Sequence, residues 1–407
     1  MAINMDEVIE IINKLEIKTN FEIIPIESAI GRIIAQDIKA KVCLPKFNNS
    51  AMDGYAILIE DAGKTLDIKD TIFAGDNNNI LLKNGSAIKI MTGAKTPDNC
   101  DAVIPKEDCQ IVDKNKIKIP TNIKKYQHIR FIGEDINKDE TLIKAKDEIN
   151  FSKITLLASQ GISHIKVYKK PKIVVFASGE ELKLHYEKAE DYQIFNSNTP
   201  TFISRCLELG CQVDFIGQAH DSVESIKELI KNSIDADLII TSGGVSVGDA
   251  DFTKESFSEL NCKNIVDGIK IKPGKPTVLG KIDNTYILNL PGNPLASALI
   301  FELFGKLLIQ KLLGSNKTYH NFIYAKMGED LNNKKGRVTI IPGFFDGEYF
   351  ISEQKRTPGM VSTLSKCNSM IVLNENVSLI KKDSKVKVLP INWKFFEEYN
   401  KDFLTNE

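Results

Sequence analysis

The stretch TSGGVSVGDADF (241–252) carries the densest chemical signal in the chain. It follows ADLIITS, which reads as a buried strand. Gly243, Gly244 and Gly248 carry no side chains, so they expose successive backbone N–H groups to an anion. Ser242 and Ser246 add hydroxyl donors. The stretch is neither a Walker loop nor GxGxxG, so the general nucleotide-binding signatures fail here. Asp249 and Asp251 come next, and two carboxylates beside an anion cradle repel the anion unless a cation joins them. A hard cation such as Mg2+, held by carboxylates and phosphate oxygens, resolves that conflict. Glu180 and Glu181 in ASGEEL (177–182) end a neighbouring strand and are placed to complete the same site.

A second signal is IKIKPGKPTVLG (269–280), where Lys270, Lys272 and Lys275 fall within six residues. Pro273 and Pro276 stiffen the turn, so the lysines face one anion instead of roaming in solvent. LPGNP (290–294) is a third polar loop, and PKFNNSAMDGYA (45–56) gathers Asn48, Asn49, Ser50 and Asp53 far away in the chain. Each of these stretches alone also reads as an ordinary turn or a solvated face. A shared place beyond strand ends is what joins ASGEEL, TSGGVSVGDADF and LPGNP. The five histidines show no HExxH or triad grouping.

The elements around these loops fall into four regions. A helix with Asp6 as its N-cap opens the first (1–42), which is expected to join 141–170 as a discontinuous linking and dimerisation domain. Residues 43–140 show short β-like runs and almost no helical periodicity, which predicts a small β domain. From 171 to 316 strands and helices alternate, the pattern of a doubly wound α/β domain with a parallel sheet covered on both faces. Asp221 or Ser222 caps one crossover helix, and Asn293 with Pro294 begins a long one. The last region (317–407) returns to short strands and predicts a small β barrel.

With 407 residues, 42% apolar and 26% charged, the chain is an ordinary multidomain globular protein. Its net charge of −1 argues against a protein built to grip nucleic acid. The most apolar stretch, 295–313, carries Glu302, Lys306, Gln310 and Lys311, so it reads as a buried helix and no membrane association is expected. Seven cysteines without CxxC spacing suit reduced thiols in a cytoplasmic protein.

The motifs together resemble one family, the molybdopterin molybdotransferases, related to the C-terminal part of gephyrin. The resemblance rests on NSAMDGYA (49–56), IMTGAKTPDNCDAVIPKED (90–108), GEEL (179–182), TSGGVSVGDADFTK (241–254), IKPGKP (271–276) and LPGNPLASA (290–298), in order over most of the chain. It implies a four-part elongated homodimer with shared active sites. It also implies insertion of molybdenum from molybdate into adenylylated molybdopterin, with Mg2+-assisted release of AMP. The upstream molybdopterin adenylyltransferase is the protein partner that this chemistry implies.

By the same matching, Asp53, Thr92, Glu181, Asp221, Asp251, Lys272 and Lys275 carry over as catalytic residues, with Glu181 and Asp251 on the metal. Ser242, Gly243, Gly244, Ser246, Gly248, Pro291, Pro294 and Ser362 carry over as substrate-binding residues. Two departures are visible: His220 replaces a more usual second acid, and KRTPGMVSTLS (355–365) replaces a Gln-Gly-Ser type stretch before the late serine. Two other functions remain open on the same α/β domain: a molybdopterin adenylyltransferase or nucleotide pyrophosphatase, and a non-catalytic scaffold.

Overall fold

A computed structural model describes residues 2–77, 80–243 and 252–393. The α/β region holds a six-stranded sheet: β1 (Lys172–Ser178), β2 (Gln212–Ala219), β3 (Leu238–Ser242), β4 (Lys263–Asp267), β5 (Val278–Ile282) and β6 (Thr285–Leu290). Their order is β2-β1-β3-β6-β5-β4. Side chains alternate between the faces, so Ile173 and Val175 enter one core while Val174 and Phe176 enter the other. Helix α1 (Asn198–Glu208) and the run 294–312 cover the first face through Phe202 and Leu299. Helices α2 (Val223–Lys231) and α3 (Phe252–Glu259) cover the second through Ile226 and Phe257.

The sheet departs from the expected all-parallel pattern at one edge. β2, β1, β3 and β6 run parallel, but β5 is antiparallel to β6 and β4 is antiparallel to β5. Only Asp283 and Asn284 separate β5 from β6, and Asp283 takes a left-handed φ of 51°. A two-residue link makes a hairpin, whereas a parallel pair needs a long crossover.

Helix α4 (Pro294–Ile300) passes into a π-helical segment, Phe301–Gly305, and then into α5 (Lys306–Leu312). Asn293 and Pro294 start it, as the sequence predicts. The buried Glu302 within it is paired: Arg205 Nε lies 2.6 Å away and Lys306 Nζ 3.2 Å away. Among the described residues, no helix is long and apolar enough to cross a membrane.

The N-terminal helix spans Met5–Lys14, and its N-cap is Asn4 rather than Asp6. Asn4 stands three residues before Glu7, whose carboxylate accepts the Asn4 N–H at 3.1 Å, so the capping-box spacing selects it over Asp6. Val8 and Ile12 enter the α/β core, so this helix packs with the sheet. Beyond it, strand Phe21–Pro25 pairs antiparallel with His164–Tyr168, and Ile26, Ile34, Leu157 and Val167 share one core across the two segments.

Between these segments lies a second six-stranded sheet, ordered 102–105, 54–57, 86–90, 65–72, 116–118, 110–113. At the C-terminal end, Val338–Phe345, Tyr349–Ser352, Ile323–Met327, Lys385–Pro390 and Ser369–Leu373 pair in turn. The last pairs back onto the first and closes a five-stranded barrel around Met327, Phe350 and Val388. All seven cysteines are free, and burial pushes the Cys100 and Cys211 thiols up to about 12.

Candidate active site

The C-terminal ends of β1, β3 and β6 converge. Gly243 directly follows β3 with φ 99°, and a Cβ there would lie 2.6 Å from the Ser178 carbonyl oxygen at the end of β1. Only glycine fits that close approach. The Gly243 N–H donates to Leu290 O at 3.3 Å, and a Cβ on Gly292 would come within 3.6 Å of Gly243 Cα. The glycine loop and the LPGNP loop therefore touch. Gly244, Ser246, Gly248, Asp249 and Asp251 lie outside the described residues.

A buried side chain that the sequence reading missed ties these loops together. Asn198, the first residue of α1, donates through Nδ2 to Gly292 O at 2.8 Å and to Ser242 Oγ at 3.3 Å. Its Oδ1 accepts from Ser297 Oγ at 3.1 Å. One carboxamide thus fixes β3, LPGNP and the first turn of α4. The available signal was the Asn/Ser-rich SNTP opening of α1, which local reasoning assigns to a helix start.

The acidic rim is organised by reciprocal bonds. The Asp221 N–H donates to Glu180 Oε1 at 3.3 Å, and the Glu180 N–H donates to Asp221 Oδ2 at 3.4 Å. His220 Nδ1 lies 3.0 Å from the same Glu180 oxygen. Ser222, not Asp221, caps α2, accepting the Ser225 N–H at 3.2 Å. Glu181 folds back over Gly179 (φ 143°), where an added Cβ would lie 2.9 Å from its carboxylate. That bare backbone makes room for the Glu181 oxygens.

Hard oxygen donors of this kind suit Mg2+. Among the described residues alone, however, no group of three or more His, Cys, Asp and Glu side chains could hold a metal. A cation at Glu181 therefore needs oxygens from beyond the described residues.

The lysine turn is fixed by packing as well as by its prolines. Gly274 (φ 118°) sits on α4, where an added Cβ would strike Ile300 Cδ1 at 2.2 Å. Its carbonyl accepts the Thr277 hydroxyl at 2.7 Å. Ile271 and Lys272 pair with Val338 and Thr339 of the barrel. Lys272 and Lys275 are exposed, and neither makes an ion pair among the described residues. Ile300 is six residues along the helix from Pro294, about 9 Å at 1.5 Å per residue. One helix therefore relates the lysines to LPGNP.

The barrel also reaches this helix. The Pro358 carbonyl accepts the N–H groups of Leu295 at 3.0 Å and Ala296 at 3.3 Å. These are first-turn donors with no partner inside the helix. The KRTPGM segment that departs from the family pattern is thus docked beside Pro294. Ser362 is exposed at the start of a short helix, Ser362–Lys366.

Asp53 and Thr92 meet in the β sheet region. Asp53 Oδ1 accepts both the Thr92 N–H at 2.9 Å and the Thr92 hydroxyl at 2.8 Å, and Lys106 Nζ lies 3.9 Å from Oδ2. The backbone bond from Thr92, then its hydroxyl, hold the Asp53 carboxyl below the usual carboxylate range. No hydrogen bond or ion pair among the described residues joins this pair to the strand-end loops of its own chain.

Comparison with known proteins bears on all these regions. Residues 3–161 match the "MoeA N-terminal region (domain I and II)", residues 174–311 a "Probable molybdopterin binding domain", and residues 324–391 the "MoeA C-terminal region (domain IV)". A molybdopterin molybdenumtransferase of Haemophilus influenzae is 34% identical over 94% of this chain and 97% of that protein. One from Staphylococcus epidermidis is 30% identical over 97% of each. The crystal structure of a molybdopterin biosynthesis MoeA protein from Pyrococcus horikosii covers 97% of this chain and 100% of its own, with a TM-score of 0.83 and 29% identity.

Proposed function

The chain belongs to the molybdopterin molybdenumtransferase family, and from that premise we propose that it takes adenylylated molybdopterin and molybdate and releases AMP as molybdenum enters the pterin. The observation that carries the finer reading is a lysine pair, Lys272 and Lys275, without an ion pair among the described residues and on a turn packed against the helix that follows LPGNP. Molybdate is a tetrahedral dianion, and two lysines held by packing favour it without reorganising. Because the Gly243 N–H is already given to Leu290 O and Ser242 is buried against Asn198, the N–H groups and hydroxyl of the loop beyond them, Gly244 to Gly248, take the adenylyl pyrophosphate, with Pro291 and Pro294 shaping the facing wall.

Glu181 and Asp251 would hold Mg2+, which would supply positive charge to the phosphate oxygens. Asp221 sets the rim through its bond to Glu180. Asp53 and Thr92 act from the β domain of a second subunit, so two sites are shared across a homodimer. The Pro358 contact supports placing the barrel, and with it Ser362, at the same rim. The division 1–42 with 141–170, 43–140, 171–316 and 317–407 goes with this reading, as do a cytoplasmic location and an upstream adenylyltransferase as partner.

The experiment is AMP release from adenylylated molybdopterin at limiting Mg2+, comparing the native chain with Asp251→Ala. The variant is expected to fold and lose most of the release. Undiminished turnover removes the metal assignment.

A further inference from the structure

Asn289 is the penultimate residue of β6, and its side chain is fully buried, yet neither Nδ2 nor Oδ1 has a hydrogen-bond partner among the described residues. Its main chain lies between two strands, opposite Thr241 of β3 and Val278 of β5. By the two-residue alternation, Asn289 shares a sheet face with Ile287, whose neighbours in the core are Val278, Phe176 and Phe257. A carboxamide among such groups forfeits hydrogen bonds that it would have in water. Buried polar groups are otherwise paired in folded proteins, so an orphan asks for an explanation. The other buried amide with an orphan atom differs in kind: Gln160 lacks a partner at Nε2, but its Oε1 accepts the N–H groups of Lys41 and Val42 at 2.9 and 3.1 Å. Gln160 has a structural task. Asn289 has none among the described residues.

Its position supplies one. Asn289 lies two residues before Pro291, and its lateral neighbour Thr241 lies two residues before Gly243, so it stands at the strand-end margin where open α/β sheets bind ligands. A carboxamide offers a donor and an acceptor side by side, the complement of a ring edge that presents an acceptor and a donor. Asparagine recognises the edge of adenine by that geometry. The pyrimidinone edge of a pterin presents the same kind of pair. We propose that Asn289 is a recognition residue for the pterin half of the substrate, its carboxamide completing its hydrogen bonds only when the ring is bound. This rests on the functional reading above.

Asn289→Leu keeps the heavy-atom skeleton and removes both polar groups. The expected result is a Tm equal to or above that of the native chain, because an orphaned polar group is gone. Affinity for adenylylated molybdopterin should fall about tenfold or more, with AMP affinity unchanged. Asn289→Ala is the second variant: it lowers Tm through the cavity it leaves but should discriminate between the two ligands in the same way. If either folded variant binds adenylylated molybdopterin as the native chain does, the inference is overturned. Equal weakening toward AMP also overturns it, since that is the signature of a distorted loop. Failure of the native chain itself to bind adenylylated molybdopterin overturns the functional reading, and this inference with it.

Discussion

The carbonyl oxygen of Pro358 lies 3.0 Å from the backbone nitrogen of Leu295, so a loop of the C-terminal barrel caps the helix that begins at LPGNP. A helix start is an inviting place for an anion, because its first amides point outward unpaired. Here two of those amides are already spent on Pro358. Amide exchange should therefore be slower at Leu295 and Ala296 than at an uncapped first turn, by about tenfold or more. Exchange at the uncapped rate would mean that the barrel does not dock in solution.

Thr92 favours the ionised form of Asp53. Its carboxyl lies below the ordinary value, so whatever it contributes to stability is present at neutral pH and is lost only as pH falls through that depressed value. Thr92→Val removes the hydroxyl donor and keeps the backbone one. The Asp53 carboxyl should then titrate higher, toward the usual carboxylate range, as followed by carboxyl NMR. An unchanged titration would assign the whole effect to the backbone bond.

Asn198 offers a test of loop positioning. Asn198→Ala leaves Gly292 O and Ser242 Oγ without this donor, at a cost of about 1–3 kcal/mol. Urea unfolding should show that loss, and AMP binding should weaken as the two loops separate. A variant with native stability and native AMP affinity would show that the loops hold each other through Gly243 and Leu290 alone.

The shared-site arrangement is tested by mixing Asp53→Ala chains with Asp251→Ala chains. Each homodimer should be inactive, whereas a mixed dimer keeps one site with both acids. Activity should return to at most about half of normal per mixed dimer under a two-site model. Confirmed heterodimers without activity would place both acids in one chain's site.

How much of this was legible in the residues depended on range. Local chemistry was readable: Asn293 and Pro294 begin α4, and glycine is required at 243 by both its φ and its approach to Ser178. The antiparallel edge was legible too, in the two-residue gap at Asp283, but the strand–helix alternation around it suggested a wholly parallel sheet. The N-cap falls at Asn4 and not at Asp6; an acid in the first turn and an N-cap look alike in sequence. Asn198, Asn289 and Pro358 were beyond reach. Their significance lies in partners 44 to 99 positions away, or in the lack of any partner among the described residues, and no local pattern records either.

The most direct measurement follows molybdenum itself. Purified protein is incubated with adenylylated molybdopterin, Mg2+ and increasing molybdate, and molybdenum bound to the pterin is counted against AMP released. The account predicts that the two rise together, and that Lys272→Ala needs more molybdate to reach the same transfer while still binding the adenylylated pterin. AMP release without molybdenum entering the pterin, or formation of adenylylated pterin from ATP and free molybdopterin as the only activity, would contradict it.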